Sequence, residues 1–184
     1  MTHSLYYKFI LGYLVFGLLG FASIATLSSR MTERYLIREQ ADSLYDEANQ
    51  IASTYSGMYH GKDMDLISSY PQLVGSAHYL HAQIWIIDRQ GKIVVDSDQS
   101  ERTGRVIDRF DPTAAGNKSY TIGTFYDQFT YDVLSVHAPI TGNYNTYGYV
   151  LIHLPMSQVK DAQNGVLNIL YITSFLIFVL SSII

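Results

Sequence analysis

The stretch IWIIDRQGKIVVDS, residues 84–97, decides the fold. Two runs rich in β-branched and aromatic residues flank Asp88-Arg89-Gln90-Gly91, a cluster of turn formers in which Gly91 supplies positive φ without steric penalty. Such runs joined by a short turn predict an antiparallel hairpin. The strand signal resumes downstream. SYTIGTFY (119–126) predicts a strand, residues 127–130 a turn, and YDVLSVHAPI (131–140) the returning strand. TGNYNT (141–146) is a further turn, and YGYVLIHL (147–154) a last strand ended by Pro155. Ser157 can then cap a helix. Residues 98–118 are polar and broken by Gly104, Pro112 and Gly116, which predicts a loop with at most a short helix. About five antiparallel strands result.

Upstream of the hairpin the period changes. In RMTERYLIREQADSLYDEANQIASTYSGMYHG (30–61), Ile37, Ala41, Leu44, Ala48, Ile51, Tyr55 and Met58 recur at spacings of 4 and 3, the apolar stripe of a long helix over residues 31–59. Two occupants suit that stripe, the helix's own domain or the same helix of a second copy in a parallel homodimer, and both can hold along different stretches. Arg34 and Arg30 continue the spacing, so the stripe fades toward residue 30. A second helix is expected over residues 64–70, halted by Pro71, and a short helical piece over 73–80.

The ends of the chain differ from its middle. Residues 9–29 and 166–184 carry no charged side chain, whereas all sixteen acids and eleven of the twelve Lys and Arg lie within 30–165. At about 1.5 Å rise per residue, 21 residues reach roughly 31 Å, the thickness of a bilayer's hydrocarbon core. Tyr6, Tyr7 and Lys8 stand before the first run as interfacial anchors. A cleaved signal peptide is the rival there, with Ser23-Ile24-Ala25 as cleavage site, but the apolar run exceeds the usual ~7–15 residues. The expected organisation is therefore a cytoplasmic terminus (1–8), a membrane helix (9–29), an extracytoplasmic domain (30–165) and a second membrane helix (166–184). A helix ending in hydrocarbon leaves polar groups unsatisfied, so the reading frame is expected to continue past Ile184, beginning with basic residues.

An acidic, charge-poor chain is not a nucleic-acid binder of the strongly basic kind. Lacking cysteine, it has no disulfide framework, thiol nucleophile or Cys-type zinc site. His78 and His81 share a helical face, but no third ligand sits at a recognisable spacing, so no metal is expected. Asp96, Asp98, Glu101, Asp108 and Asp111 are interleaved with Arg102, Arg105 and Arg109 and lack EF-hand spacing. No G-x-S-x-G elbow and no phosphate loop occurs, so no catalytic residue and no cofactor is assigned within this stretch.

The phrases SLYYKFILGYLVFGLLGFASIATLSS, IWIIDRQGKIVVDS, GTFYDQFTYDVLSVHAPIT and GYVLIHLPMS, in that order, resemble the amino-terminal half of Gram-positive sensor histidine kinases. The likeness covers nearly the whole chain. It implies an α+β, PAS-like (Cache-type) extracytoplasmic sensor domain between two membrane helices, the signal-input module of a two-component system. It also implies a plasma-membrane homodimer, an unknown small extracytoplasmic ligand or partner protein, and a response regulator for the intact protein. ATP is expected only for a kinase domain outside these residues. A chemoreceptor or diguanylate cyclase can share such a front end, and a stand-alone anchored binding protein is the remaining alternative. In Cache-type domains a small anionic or amino-acid ligand sits between the sheet and the loop beside it. The resemblance thus points to Arg105 and Arg109, whose planar forks suit a carboxylate. Trp85, Tyr126 and Tyr131, with Tyr120, are the expected walls.

Overall fold

The structure, a computed structural model, describes residues 3–58, 66–98, 101–113 and 120–183. Parts of the expected loop (99–100 and 114–119) and the expected start of the second helix (64–65) lie outside them.

Five strands form one antiparallel sheet: β1 (Gln83–Asp88), β2 (Ile93–Asp96), β3 (Tyr120–Gly123), β4 (Val133–Gly142) and β5 (Asn145–Pro155), in the order β2-β1-β5-β4-β3. Among the described residues, three helices accompany the sheet: α1 (His3–Met58), α2 (Leu66–Leu80) and α3 (Met156–Ile183). The long helix, the five strands and the closing helix meet the α+β expectation. The β1–β2 turn forms for the anticipated reasons. Asp88 Oδ1 accepts from the backbone N–H groups of Gln90 and Lys92, both at 2.9 Å, and Gly91 sits at φ +80°.

Register sorts the sheet into two faces, since side chains alternate along a strand. Gln83 pairs with His153, Trp85 with Leu151 and Ile87 with Tyr149, while Ser135 pairs with His153 and His137 with Leu151. These side chains share one face. Ile84, Ile86, Leu134, Val136, Ala138, Ile140, Val150, Ile152 and Leu154 make the other, all buried. That second face lies on the helical side of the domain. α2 packs on β1, and Ser56 Oγ of α1 donates to the Thr141 carbonyl of β4. Ala41, Leu44, Ala48, Ile51 and Tyr55 are buried within this same unit. Of the two occupants the stripe admits, the structure supplies the domain itself, and a dimer seam through Leu44 and Ala48 is not available.

Three expectations are corrected. Pro71 lies inside α2 instead of ending a helix, so the two expected pieces are one. The ring removes a single N–H from the ladder, and burial of Leu73 and Ala77, one turn apart, holds the helix together. The expected strand 119–126 stops at Gly123, and residues 124–128 turn. The β4–β5 connection narrows to Asn143-Tyr144, both at positive φ, as a two-residue hairpin loop demands. The 98–118 loop also folds back on the hairpin: Ile93 N–H donates to the Arg105 carbonyl (2.8 Å) and Ile107 N–H to that of Gly91 (2.9 Å).

The chain divides into two compact units, Ile37–Gln158 and the combination of Met1–Leu36 with Val159–Ile184. Within the latter, Gln163 Nε2 donates to the Ser29 carbonyl (3.1 Å), and Tyr13 stacks on Phe178 with ring centroids 6.4 Å apart. Helices α1 and α3 each contain a stretch long and apolar enough to cross a membrane, by length and composition.

Candidate functional site

Trp85 points from β1 into a compartment between the sheet and residues 101–110 and 124–131. Its indole stacks on Phe129 (centroids 5.3 Å apart, planes at 7°) and meets the His153 ring at 4.3 Å. Phe125 closes over both, 6.1 Å from Trp85 and 4.4 Å from His153. Ile87, Ile93, Ile107, Val133 and Leu151 extend the apolar floor. The Arg102 guanidinium lies 5.1 Å from the Phe129 centroid and 5.6 Å from that of Trp85, a cation–π arrangement. It also donates to Gln83 Oε1 (3.2 Å) and to the Gln128 carbonyl (3.4 Å).

Buried polar atoms set the chemistry. His153 is fully buried, its Nδ1 2.8 Å from Ser135 Oγ. Burial first, and then the positive charge of Arg102, push its pKa down to about 3. The ring is therefore neutral at physiological pH. When the Ser135 hydroxyl donates to Nδ1, the proton of the imidazole sits on Nε2. Neither His153 Nε2 nor Trp85 Nε1 has a hydrogen-bond partner, and each such orphan costs roughly 1–3 kcal/mol. With Arg102, the compartment holds an indole N–H, a guanidinium fork and an unpartnered imidazole nitrogen. Asp96, buried and directly across the β1–β2 pair from Trp85, is the acid on this face, and its Oδ1 accepts from Asp98 N–H at 2.9 Å.

The cover over this chemistry is strained. Phe125, Tyr126 and Asp127 stand consecutively at φ 43°, 53° and 57°, and a side-chain-bearing residue in the left-handed region costs about 1–2 kcal/mol. Backbone bonds from Gln128 N–H to Phe125 O and from Phe129 N–H to Thr124 O, both 3.1 Å, close the turn. Thr124 Oγ1 adds a bond to Asp127 Oδ1 at 3.1 Å. Just beyond, the Asp132 carbonyl accepts from Met156 N–H, the first residue of α3, at 3.0 Å. Asp132, three residues after Phe129, is thus bonded to the start of that helix.

Of the residues singled out from the sequence, Trp85 is the centre of the compartment. Tyr126 packs on Phe125 (5.1 Å) and Phe110 (6.1 Å), and its hydroxyl accepts from Asp111 N–H at 3.2 Å. Tyr131 lies at the rim, exposed, 5.6 Å from Phe129. The Arg105 side chain is 60% exposed and faces Glu101 at 4.0 Å, and Arg109 is exposed at φ 58°. Neither joins Trp85, where Arg102 stands instead. Tyr120 pairs with Val136, on the helical face. The rings of His78 and His81 are 6.3 Å apart, and no group of three or more metal-ligating side chains occurs among the described residues. His153, Ser135, Phe125 and Phe129 escaped the sequence reading. The one available signal was a histidine inside the apolar run VLIHL, two residues from Leu151.

A long amino-terminal helix, a five-stranded antiparallel sheet and a carboxy-terminal helix make the Cache-like fold. Two solved structures sharing it are those of the Campylobacter jejuni chemoreceptor Tlp3. One is its ligand-binding domain in complex with L-valine (TM-score 0.54, 14% identity, 83% of this chain). The other is its sensory domain (TM-score 0.55, 13% identity, 82% of this chain). This chain covers 65% of each. The sensor domain of the V. cholerae histidine kinase DctB overlaps less well (TM-score 0.43, 18% identity, 85% of this chain and 60% of that one). At these identities the likeness is one of fold. No protein-family model and no curated protein matches the sequence.

Proposed function

We propose that the chain is the signal-input module of a membrane receptor, with residues 30–165 outside the cell as the sensing domain. Helices at 9–29 and 166–184 cross the membrane in this proposal, and a histidine kinase is the output. The observation that carries the sensing role is the pair of orphaned buried nitrogens, Trp85 Nε1 and His153 Nε2, beside the Arg102 fork. A small molecule bearing a carboxylate, such as an amino acid or short organic acid, supplies the missing acceptor. The Tlp3 domain, which shares the fold, was solved with L-valine. Entry of such a ligand displaces Phe125 and Phe129 and releases the strained 124–128 turn. The Asp132–Met156 bond then passes the shift to α3. The ligand drives this only by its preference for the open cover. A histidine kinase is chosen because the phrases of the chain resemble that family, and dimerisation would use a face of α1 other than the Leu44 stripe.

The test is a chimaera in which residues 1–184 drive a histidine-kinase output with a transcriptional reporter. The proposal expects output that changes with added carboxylates or amino acids, and that stops changing in Arg102→Ala. Output indifferent to every one of them contradicts it. A response only when the module drives a methyl-accepting output moves the assignment to chemotaxis.

A further inference from the structure

Within the unit formed by Met1–Leu36 and Val159–Ile184, α1 and α3 keep a single antiparallel register. Tyr13 stacks on Phe178, Phe21 meets Tyr171 with ring centroids 6.2 Å apart, and Ser29 receives Gln163. Steps of eight residues along α1 are thus matched by steps of seven and eight along α3. From Tyr13 to Ser29 the register holds over about 24 Å of helix. The ring contacts tolerate sliding, because aromatic pairs are favourable over centroid distances of about 4.5–7 Å.

Gln163 does not tolerate it. Its side chain is buried in α3 between Val159 and Leu167, one turn away on either side and both buried. Nε2 donates to the Ser29 carbonyl at 3.1 Å, with Ser29 Oγ at 3.5 Å. A helical carbonyl has a second lone pair for such a donor. Stretched to about 3.6 Å, the contact is no longer a hydrogen bond. A slide of roughly 1–2 Å, the size of many helix shifts in receptors and oligomers, is enough to break it. A leucine at 163 would complete the apolar stripe. An amide there instead specifies position, as a single buried Asn fixes the register of a coiled coil. We propose that Gln163 is the register latch of the α1–α3 pair: its bond to the Ser29 carbonyl holds one position of α3 along α1, and signalling requires its release. The role in signalling rests on the reading of the chain as an input module, but not on which ligand starts the shift.

Cross-linking of the full chain in membranes with a short bismaleimide tests it, since the sequence has no cysteine of its own. Tyr13→Cys is paired either with Phe178→Cys or with Ser174→Cys, one turn back along α3. The unlatched pair should link 13 to 174 more readily than the latched one does. Gln163→Leu should therefore lower the preference for 178 over 174 about two- to tenfold, the range for one neutral hydrogen bond. Asn164→Leu, the same exchange at an exposed neighbouring position, should leave the preference unchanged. So should Ser29→Ala, because the accepting carbonyl remains. In the histidine-kinase chimaera with no carboxylate added, Gln163→Leu should change basal output at least twofold and Asn164→Leu should not. A chimaera indifferent to every carboxylate that still shows both Gln163→Leu shifts would refute the sensing compartment and support the latch. Any of three results overturns the latch: an unaltered linking preference in Gln163→Leu, an equal change in Asn164→Leu or Ser29→Ala, or an unaltered basal output.

Discussion

Acid should loosen the aromatic compartment, and His153 sets by how much. In the folded protein its pKa is held at about 3, and in the unfolded chain it returns to about 6.5. The folded pKa is the lower one, so below pH 6.5 the unfolded state takes up a proton that the folded state refuses. Stability contributed by the neutral ring is complete above that pH and declines as pH falls toward 3. The limiting slope is about 1.4 kcal/mol per pH unit, which gives about 2 kcal/mol between pH 8 and pH 5. His137, whose pKa burial also lowers, adds to the loss in the same direction. The comparison therefore uses a variant that changes only the His153 share. Ser135→Ala combined with His153→Phe keeps a ring against Trp85, Phe125 and Phe129 and leaves no hydroxyl stranded. Urea unfolding in detergent, followed by emission of Trp85, the single tryptophan, gives stability at each pH. Wild type should lose about 2 kcal/mol more than the double variant over this range. Equal losses would refute the buried, neutral His153.

Gly148→Ala should destabilise by about 1–3 kcal/mol or more, since the added Cβ runs into the Ile87 carbonyl and backbone pairing leaves it nowhere to go. Chemical denaturation of the variant measures this. In an otherwise cysteine-free chain, Leu44→Cys should resist maleimide while Ser43→Cys, exposed on the same helix, reacts promptly. Equal labelling would detach α1 from its domain. Gly17→Leu should separate the membrane-type helices, because the space beside Gly17 is filled by the Phe178 ring. Cross-linking between cysteines placed at Tyr13 and Phe178, compared with and without Gly17→Leu, reports the loss.

The sheet was legible because its strands are runs of β-branched and aromatic residues and its turn residues carry their own hydrogen bonds, as Asp88 does for the first hairpin. The long stripe on α1 was legible from its spacing of 4 and 3, although sequence alone left its occupant open. Pro71 misled because local rules end a helix there, whereas burial of Leu73 and Ala77 outweighs one missing bond. The candidate site was half legible. Trp85 stood out by composition, yet which of Arg102, Arg105 and Arg109 reaches it depends on how residues 104–107 bond back to Gly91 and Ile93. That return is a tertiary fact with no local signature. His153 was hidden likewise: its place opposite Gln83 and beside Ser135 exists only once β5 pairs with both β1 and β4. The cover needed three successive residues in the left-handed region, none of them glycine, which no propensity scale favours.

The central claim, that the compartment under Phe125 and Phe129 receives a small carboxylate through Arg102, is tested most directly by Trp85 emission. Its indole touches both covering rings and carries one of the orphaned nitrogens. Titration of the full chain with L-valine, L-alanine, acetate and succinate should give, for at least one of them, a saturable change in intensity or wavelength. That change should vanish in Arg102→Ala, with the fold retained by circular dichroism. Emission unmoved by every carboxylate, or an Arg102→Ala response with the wild-type midpoint, would contradict the account.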